Sequence, residues 1–213
     1  MKIVNSRNVT MEDVHFLFKY KRERKSDFTN FLSLEPLSEF EEKEIEQIRE
    51  DFESYLAEGS VSEGQIKFLE VAPLLRLSGF YQPPIKLTLE ENIFEITLKD
   101  EDTTIWGRID VLAVNKTATS HEITPLWLLI VEAKNSEISP SAGLAQLLTY
   151  AFKSLQGQSS VWGLLTNGEY YQFIHVRSGE FPVYHILPSL NFLEIEPSRK
   201  VLQVLKAILR SLF

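Results

Sequence analysis

The spacing of apolar residues along the chain changes at Pro83-Pro84. Upstream of this pair, residues 39–56 carry apolar side chains at roughly helical spacing, with charged residues between them. The pattern predicts an amphipathic helix that ends at Gly59. The first 38 residues show no strong period, and they predict only a short buried strand or turn at residues 16–18.

A second helix is predicted to follow, with an apolar face formed by residues between Ile66 and Leu77. Ser60 or Ser62 is the candidate N-cap, because a serine hydroxyl accepts a hydrogen bond from the backbone of the first turn. Gly79 favours termination of the helix there. Pro73 lies inside the apolar run, so the helix is expected to bend or restart at that residue.

Downstream of the two prolines the apolar period becomes two, which is typical of β-strands. Three strands are predicted, at residues 93–98, 105–114 and 126–133, and Trp106 is expected in the core. The third strand is apolar on both faces, since leucine, tryptophan, isoleucine and valine fill every position from 126 to 131. Such a strand is expected at the centre of a sheet, with layers above and below it.

The rest of the chain continues with helix and strand. A helix is predicted over residues 140–155, and strands are predicted over residues 161–165, 170–176 and 181–187. Asn167-Gly168 separates the first two of these strands and favours a two-residue hairpin turn. Residues 197–213 are predicted to form a final amphipathic helix.

This order of elements predicts an α/β fold with a mixed central sheet flanked by helices and an extra N-terminal helix. The sequence contains no convincing internal linker or repeat, so a single domain over residues 1–213 is expected. Within it we distinguish an N-terminal extension (residues 1–58), a core (residues 60–187) and a C-terminal helix (residues 197–213).

Composition and charge narrow the possible functions. With 44% hydrophobic and 24% charged residues among 213, the composition is typical of a soluble globular protein. The sequence has no recognisable signal peptide, no apolar run of membrane-spanning length and no cysteine, so a cytoplasmic location without membrane contact is expected. The formal net charge of −8 disfavours indiscriminate nucleic-acid binding. A basic cluster at residues 19–25 is interpreted either as a solvated helix face or as a phosphate contact.

Two carboxylates stand out because they lie on predicted core strands. Asp110 has apolar neighbours, and Glu132 ends the doubly apolar strand, with Lys134 two residues further on. Residues i and i+2 of a strand point to the same face, so Glu132 and Lys134 share a side. Buried carboxylates are costly unless they are paired or bind a cation. Asp110, Glu132 and the Ala133 carbonyl are therefore candidate ligands of Mg²⁺ or Mn²⁺, although Glu132 and Lys134 could equally form a plain salt bridge.

Five segments between residues 60 and 176 resemble the PD-(D/E)XK nuclease superfamily, in particular the endonuclease-like domains at the N-terminus of type I restriction subunits. These segments are SEGQIKFLEVAPLLRLSGF, WGRIDVLAV, LWLLIVEAKN, GLAQLLTYAF and VWGLLTNGEYYQFIHV. The resemblance implies a restriction-endonuclease-like core in which Asp110 and Glu132 hold the metal and Lys134 handles the attacking water. The chain departs from the family name at one place, because isoleucine rather than proline precedes Asp110.

Two further site residues are implied by the same resemblance. The family often adds an acid from its first core helix, and Glu63 is the better match, with Glu70 as its rival on the same helical face. A glutamine on the helix after the site lines the active site in the resembled domains, and this role falls on Gln146. Gln146 forms an i, i+4 pair with Tyr150, and the alternative interpretation of this pair is polar surface.

The resemblance predicts a metal-dependent endonuclease that hydrolyses DNA phosphodiester bonds in a restriction or repair setting, with Mg²⁺ or Mn²⁺ as cofactor. The expected partners are DNA and a separate restriction or helicase subunit, and a homodimer is left open. Two alternatives compete with this prediction. One is a catalytically silent nuclease-fold module that binds nucleic acid or a partner protein, and the other is a structural subunit whose site residues form a salt-bridged network.

Overall fold

A computed structural model of the protein describes residues 2–24, 27–98, 103–116 and 126–211. Its helices are α1 (Met11–Phe18), α2 (Glu39–Glu58), α3 (Glu63–Ile66), α4 (Ala72–Leu77), α5 (Leu144–Ser154) and α6 (Ile195–Arg210). Its strands are β1 (Lys2–Asn5), β2 (Lys21–Glu23), β3 (Ile85–Leu98), β4 (Thr103–Asn115), β5 (Leu126–Ala133), β6 (Ser160–Thr166), β7 (Tyr170–Arg177), β8 (Val183–Ile186) and β9 (Leu190–Asn191). The predicted α/β class is confirmed.

The strands of the described residues form one mixed sheet. The order along it is β1-β4-β5-β6-β7-β8-β2, while β3 pairs with β4 and β9 pairs with β7. Strand β5 runs antiparallel to β4 and parallel to β6. Its residues from Leu128 to Ala133 are buried. The prediction that this doubly apolar strand lies inside the sheet is confirmed.

Apolar side chains cover both faces of the sheet. One buried cluster joins Leu129 and Val131 of β5 to helices α2, α3, α4 and α6. A second cluster joins Ile130 to α1 and α5. From Leu129 to Val131, successive residues of β5 therefore point into opposite layers, as the period of a strand requires. In the described part of the chain, no helix is both long enough and apolar enough to cross a membrane.

Local hydrogen bonds explain where the helices begin. Ser38 and Glu41 form a reciprocal capping box at the start of α2, and Ser62 and Gln65 form one at the start of α3. Of the two predicted caps, Ser62 is thus the one used. A π-helical turn, Lys67–Val71, joins α3 to α4 just before Pro73, so the predicted irregularity lies on the N-terminal side of the proline.

Three expectations for the N-terminal half of the chain are wrong. Residues 16–18 belong to helix α1, which is capped by Thr10 and Asp13, and do not form a strand or turn. The basic cluster contributes the exposed edge strand β2 rather than a helix face. Trp106 is 51% exposed and not part of the core. The segment predicted as an N-terminal extension also supplies β1, which pairs with β4.

The later elements follow the sequence closely. The predicted hairpin connects β6 to β7, but its turn is centred on Gly168 and Glu169, because Asn167 and Tyr170 are the residues that pair across it. Gly168 has a φ of 89°, which suits glycine at the first central position of such a turn. The C-terminal helix begins at Ile195, and the prediction for residues 212 and 213 lies outside the described residues.

Candidate active site

The two predicted carboxylates lie side by side on neighbouring strands. Val111 of β4 faces Val131 of β5 in antiparallel register, so Asp110 and Glu132 occupy the next pair of positions. Both are almost completely buried, with exposures of 3% and 2%. The backbone N–H of Ala133 donates a hydrogen bond of 2.9 Å to Oδ2 of Asp110. Because the N–H and C=O of one strand residue point to the same neighbouring strand, the Ala133 carbonyl also faces β4.

Lys134 pairs with Glu132, as the i, i+2 spacing predicts. Nζ of Lys134 lies 2.5 Å from Oε1 of Glu132. The other carboxylate oxygen, Oε2, is buried and has no hydrogen-bond partner among the described residues. Burial raises the pKa of Glu132 to about 8, and the charge of Asp110 adds to this rise while Lys134 opposes it. Glu132 therefore has one carboxylate oxygen without a hydrogen-bond partner, and Lys134 alone does not offset the effects of burial and of Asp110 on its charge.

Lys67 is a site residue that the sequence prediction missed. It follows Glu63 by four residues on the helix, and its Nζ lies 3.3 Å from Oε1 of Glu63 and 3.3 Å from Oδ1 of Asp110. It also lies 2.6 Å from Oε1 of Glu90. Burial lowers the pKa of Lys67, but Glu90, Asp110 and Glu63 outweigh burial and raise it above its ordinary value. The i, i+4 spacing from Glu63 was the available signal.

Glu90 and Arg108 extend the same ionic group along the sheet. Nε of Arg108 lies 2.6 Å from Oε2 of Glu90. Glu90 has a φ of 54°, a left-handed conformation that is uncommon outside glycine, asparagine and aspartate. No pattern in the sequence indicates that conformation, so Glu90 could not be found in advance. The group comprises the four acids Glu63, Glu90, Asp110 and Glu132 and the three cations Lys67, Arg108 and Lys134.

The structure separates the two candidate helix acids. The negative charge of Glu63 contributes to raising the pKa of both Asp110 and Glu132, although burial is the larger cause at each. Glu70 is fully buried elsewhere and accepts a hydrogen bond of 3.0 Å from the Tyr171 hydroxyl. The π-helical turn that contains Glu70 breaks the α-helical phase that would have placed the two acids on one face. Glu63 is therefore the helix acid that accompanies the candidate site.

Gln146 lies in a buried hydrogen-bond chain behind the carboxylates. Its Nε2 donates to the Tyr150 hydroxyl at 2.8 Å, and that hydroxyl donates to the Arg108 carbonyl at 2.9 Å. Tyr150 also contacts the Ser6 hydroxyl at 2.8 Å. Exposures of 5% for Gln146 and 1% for Tyr150 show that the polar-surface interpretation is wrong. The chain fixes the backbone of β4 two residues before Asp110.

Tyr150 is close enough to the carboxylates to respond to their charge. Burial raises the pKa of Tyr150 to about 12, and the negative charges of Glu132 and Asp110 contribute to the rise. The hydroxyl is therefore neutral at physiological pH and remains a hydrogen-bond donor to the Arg108 carbonyl. Gln146 and Tyr150 position the strand that carries Asp110.

The donors present fit a hard divalent cation. Asp110, Glu132 and the Ala133 carbonyl would supply oxygen ligands, and Oε2 of Glu132 has no hydrogen-bond partner among the described residues. Within the described ranges, no group of three or more His, Cys, Asp or Glu side chains is arranged to hold a metal ion together. Glu63 is instead engaged with Lys67. Two carboxylates are enough for Mg²⁺, which keeps several of its waters.

Gly143 leaves the space in which Glu132 and Lys134 lie. A Cβ at this position would come within 2.8 Å of Cγ of Glu132 and 3.5 Å of Cε of Lys134. We expect Gly143→Ala to lower the free energy of unfolding by about 1–3 kcal/mol, because overpacking forces neighbouring side chains to shift. Urea denaturation measures the change. Gly64→Ala, where a Cβ would meet nothing within 4 Å, is the control, and an equal loss in both variants would contradict the expectation.

The sequence matches no protein-family model and no curated protein.

Proposed function

We propose that this protein is a metal-dependent nuclease that hydrolyses phosphodiester bonds of DNA. The observation that carries the proposal is the placement of Asp110 and Glu132 on adjacent strands, buried and facing one another, with an unpartnered oxygen on Glu132. Burying two carboxylates together is costly unless a cation offsets their charge. Lys134 is in contact with Glu132, where a water-handling cation is needed.

We assign separate roles in metal binding and in water activation to the residues of the site. A bound Mg²⁺ or Mn²⁺ would supply Lewis acidity toward the scissile phosphate and favour ionisation of water. Asp110, Glu132 and the Ala133 carbonyl would hold that ion. The Ala133 N–H fixes Oδ2 of Asp110, and its Oδ1 accepts a hydrogen bond from Lys67. Lys134, whose Nζ donates to Oε1 of Glu132, would orient the attacking water and pass its proton to that carboxylate oxygen.

Lys67 is assigned a role in contacting the phosphate. Its ammonium group lies between Glu63, Glu90 and Asp110, at the mouth of the carboxylate pair. An anionic phosphate that approaches Asp110 needs a cation beside it, because like charges within a few ångströms repel strongly. Glu63 and Glu90 hold Lys67 at this position.

The silent nuclease-fold module is the second candidate function. The observation in its favour is that Lys67 and Lys134 already pair with Asp110 and Glu132. Breaking buried ion pairs to admit a metal costs free energy, which a weakly binding ion does not recover. A module of this kind would bind nucleic acid or a partner protein, possess the same fold, and bind no divalent metal at these carboxylates.

We expect wild-type protein, or its assembly with a partner subunit, to cut single-stranded, duplex or branched DNA in the presence of Mg²⁺ or Mn²⁺. Glu132→Ala should reduce cleavage to background, because the metal loses one of its two carboxylates. Gel electrophoresis of end-labelled DNA measures the products. Glu58→Ala, a change at an exposed acid of α2, is the control and should cut normally. Equal rates for wild type and Glu132→Ala would overturn the proposal.

A further inference from the structure

An apolar groove opens directly beside the carboxylates. It has a volume of about 570 Å³, and it runs between the helical segment from Gly64 to Leu75 and strands β3 and β4. Asp110, Lys67 and Glu90, which contact one another, are among the residues that line it. The groove is therefore continuous with the candidate active site, and its volume falls within the ~300–1,000 Å³ of typical ligand pockets.

Large apolar side chains border the groove yet remain in contact with solvent. Phe68 is 77% exposed, Leu89 is 68% exposed and Tyr81 is 49% exposed. Exposing three such side chains around one groove is unfavourable unless a ligand covers them. Two of the three are aromatic, and aromatic faces stack well on nucleobases.

Two lysines also line the apolar groove. Lys67 lies at the end nearest Asp110, and Lys86 of β3 is exposed along the groove. Lys86 forms no ion pair with any other residue in the described ranges. Lys67 is already paired with acids, so Lys86 is the cation that a strand with its bases on Phe68 and Tyr81 would meet at its phosphates. Aromatic platforms with neighbouring cations are the usual means of binding single-stranded nucleic acid.

We propose that this groove binds unpaired nucleobases and so directs the active site toward single-stranded or frayed DNA. The inference rests on the proposed nuclease function, since it names the substrate class of that same site. Bases in a duplex are stacked within the helix and cannot reach an apolar groove without being displaced. The net charge of −8 also disfavours a grip on duplex DNA through phosphates alone.

The test measures binding without cleavage, in EDTA and at fixed salt. Fluorescence anisotropy compares a labelled 15-nucleotide oligothymidylate with an abasic oligonucleotide that carries the same phosphates. We expect wild type to bind the oligothymidylate about ten-fold or more tightly than the abasic chain, since stacking contributes at each base. Phe68→Ala should remove much of that preference, and Phe40→Ala, at a 64% exposed phenylalanine of α2, should leave it unchanged.

The possible outcomes separate this inference from the nuclease proposal. Equal binding of both oligonucleotides, or equal loss in Phe68→Ala and Phe40→Ala, overturns the groove assignment even if the protein cuts DNA. Binding of neither oligonucleotide also overturns it and leaves an apolar protein segment as the occupant. A base preference that depends on Phe68 supports the assignment whether or not metal-dependent cleavage is observed.

Discussion

Replacing Lys134 with alanine is expected to lower the rate of DNA cleavage by about 100- to 10,000-fold while Mn²⁺ still binds. The expected loss is that of a group which moves a proton during the reaction. Neither predicted carboxylate ligand is removed, so the site keeps its metal-binding oxygens. Single-turnover cleavage of labelled DNA gives the rate, and calorimetry gives the metal affinity.

The comparison has to be made at about pH 9. Lys134 is one of the groups that oppose the rise in the pKa of Glu132, so its removal favours protonation of that carboxyl. A pH above the wild-type value of about 8 ionises more of the Glu132 carboxyl in both proteins, so their metal affinities can be compared. Lys134→Arg is the matched variant, because a guanidinium keeps the charge but cannot be deprotonated. Normal cleavage by Lys134→Arg would contradict a proton-relay role.

Glu70→Gln is expected to stabilise the protein at neutral and alkaline pH. Burial raises the pKa of Glu70 well above its ordinary value, although the Tyr171 hydroxyl bond works against this rise. Folded protein therefore keeps a proton on Glu70 at a pH where the unfolded chain has released it. The contribution of Glu70 to the free energy of unfolding is fully present below its pKa in the unfolded chain, about 4.3. That contribution is lost as pH rises toward the pKa of Glu70 in the folded protein.

The size of that loss is up to about 1.4 kcal/mol per pH unit for one proton. Glutamine carries no such proton and can still accept the Tyr171 hydrogen bond. The free energy of unfolding of Glu70→Gln should therefore equal that of wild type near pH 4 and exceed it increasingly as pH rises. Urea denaturation across this pH range measures the difference in free energy of unfolding between wild type and Glu70→Gln. Contributions from the other titrating groups are common to both proteins and cancel in that difference. Glu58→Gln, at an exposed acid, is the control. Parallel pH profiles for wild type and Glu70→Gln would contradict a protonated Glu70.

The core of the sheet was predictable because its signals are local and redundant. An uninterrupted apolar run identified β5 as a buried strand, and the apolar residues that flank Asp110 identified β4. Once both lie in one sheet, a single pairing register brings Asp110 beside Glu132. The i, i+2 relation between Glu132 and Lys134 required no tertiary information.

The missed features depend on tertiary contacts or on unusual backbone. Glu90 joins the site only because of its left-handed conformation and its long-range contact with Lys67. Whether Glu63 or Glu70 accompanies Asp110 depends on a π-helical turn, which apolar spacing does not reveal. Helix α1 was misread because its five apolar residues include three in succession, although Thr10 and Asp13 offered a capping signal.

Titration of the protein with Mn²⁺ by calorimetry tests the central claim most directly, because metal binding separates a nuclease from a silent or purely structural module. Wild type is expected to bind Mn²⁺ at a site that disappears in Asp110→Ala, since that variant lacks one of two carboxylate ligands. Asp51→Ala, at an exposed acid of α2, is the control and should bind as wild type does. Absence of binding to wild type, or undiminished binding to Asp110→Ala, would contradict the assignment of Asp110 and Glu132 as a metal site.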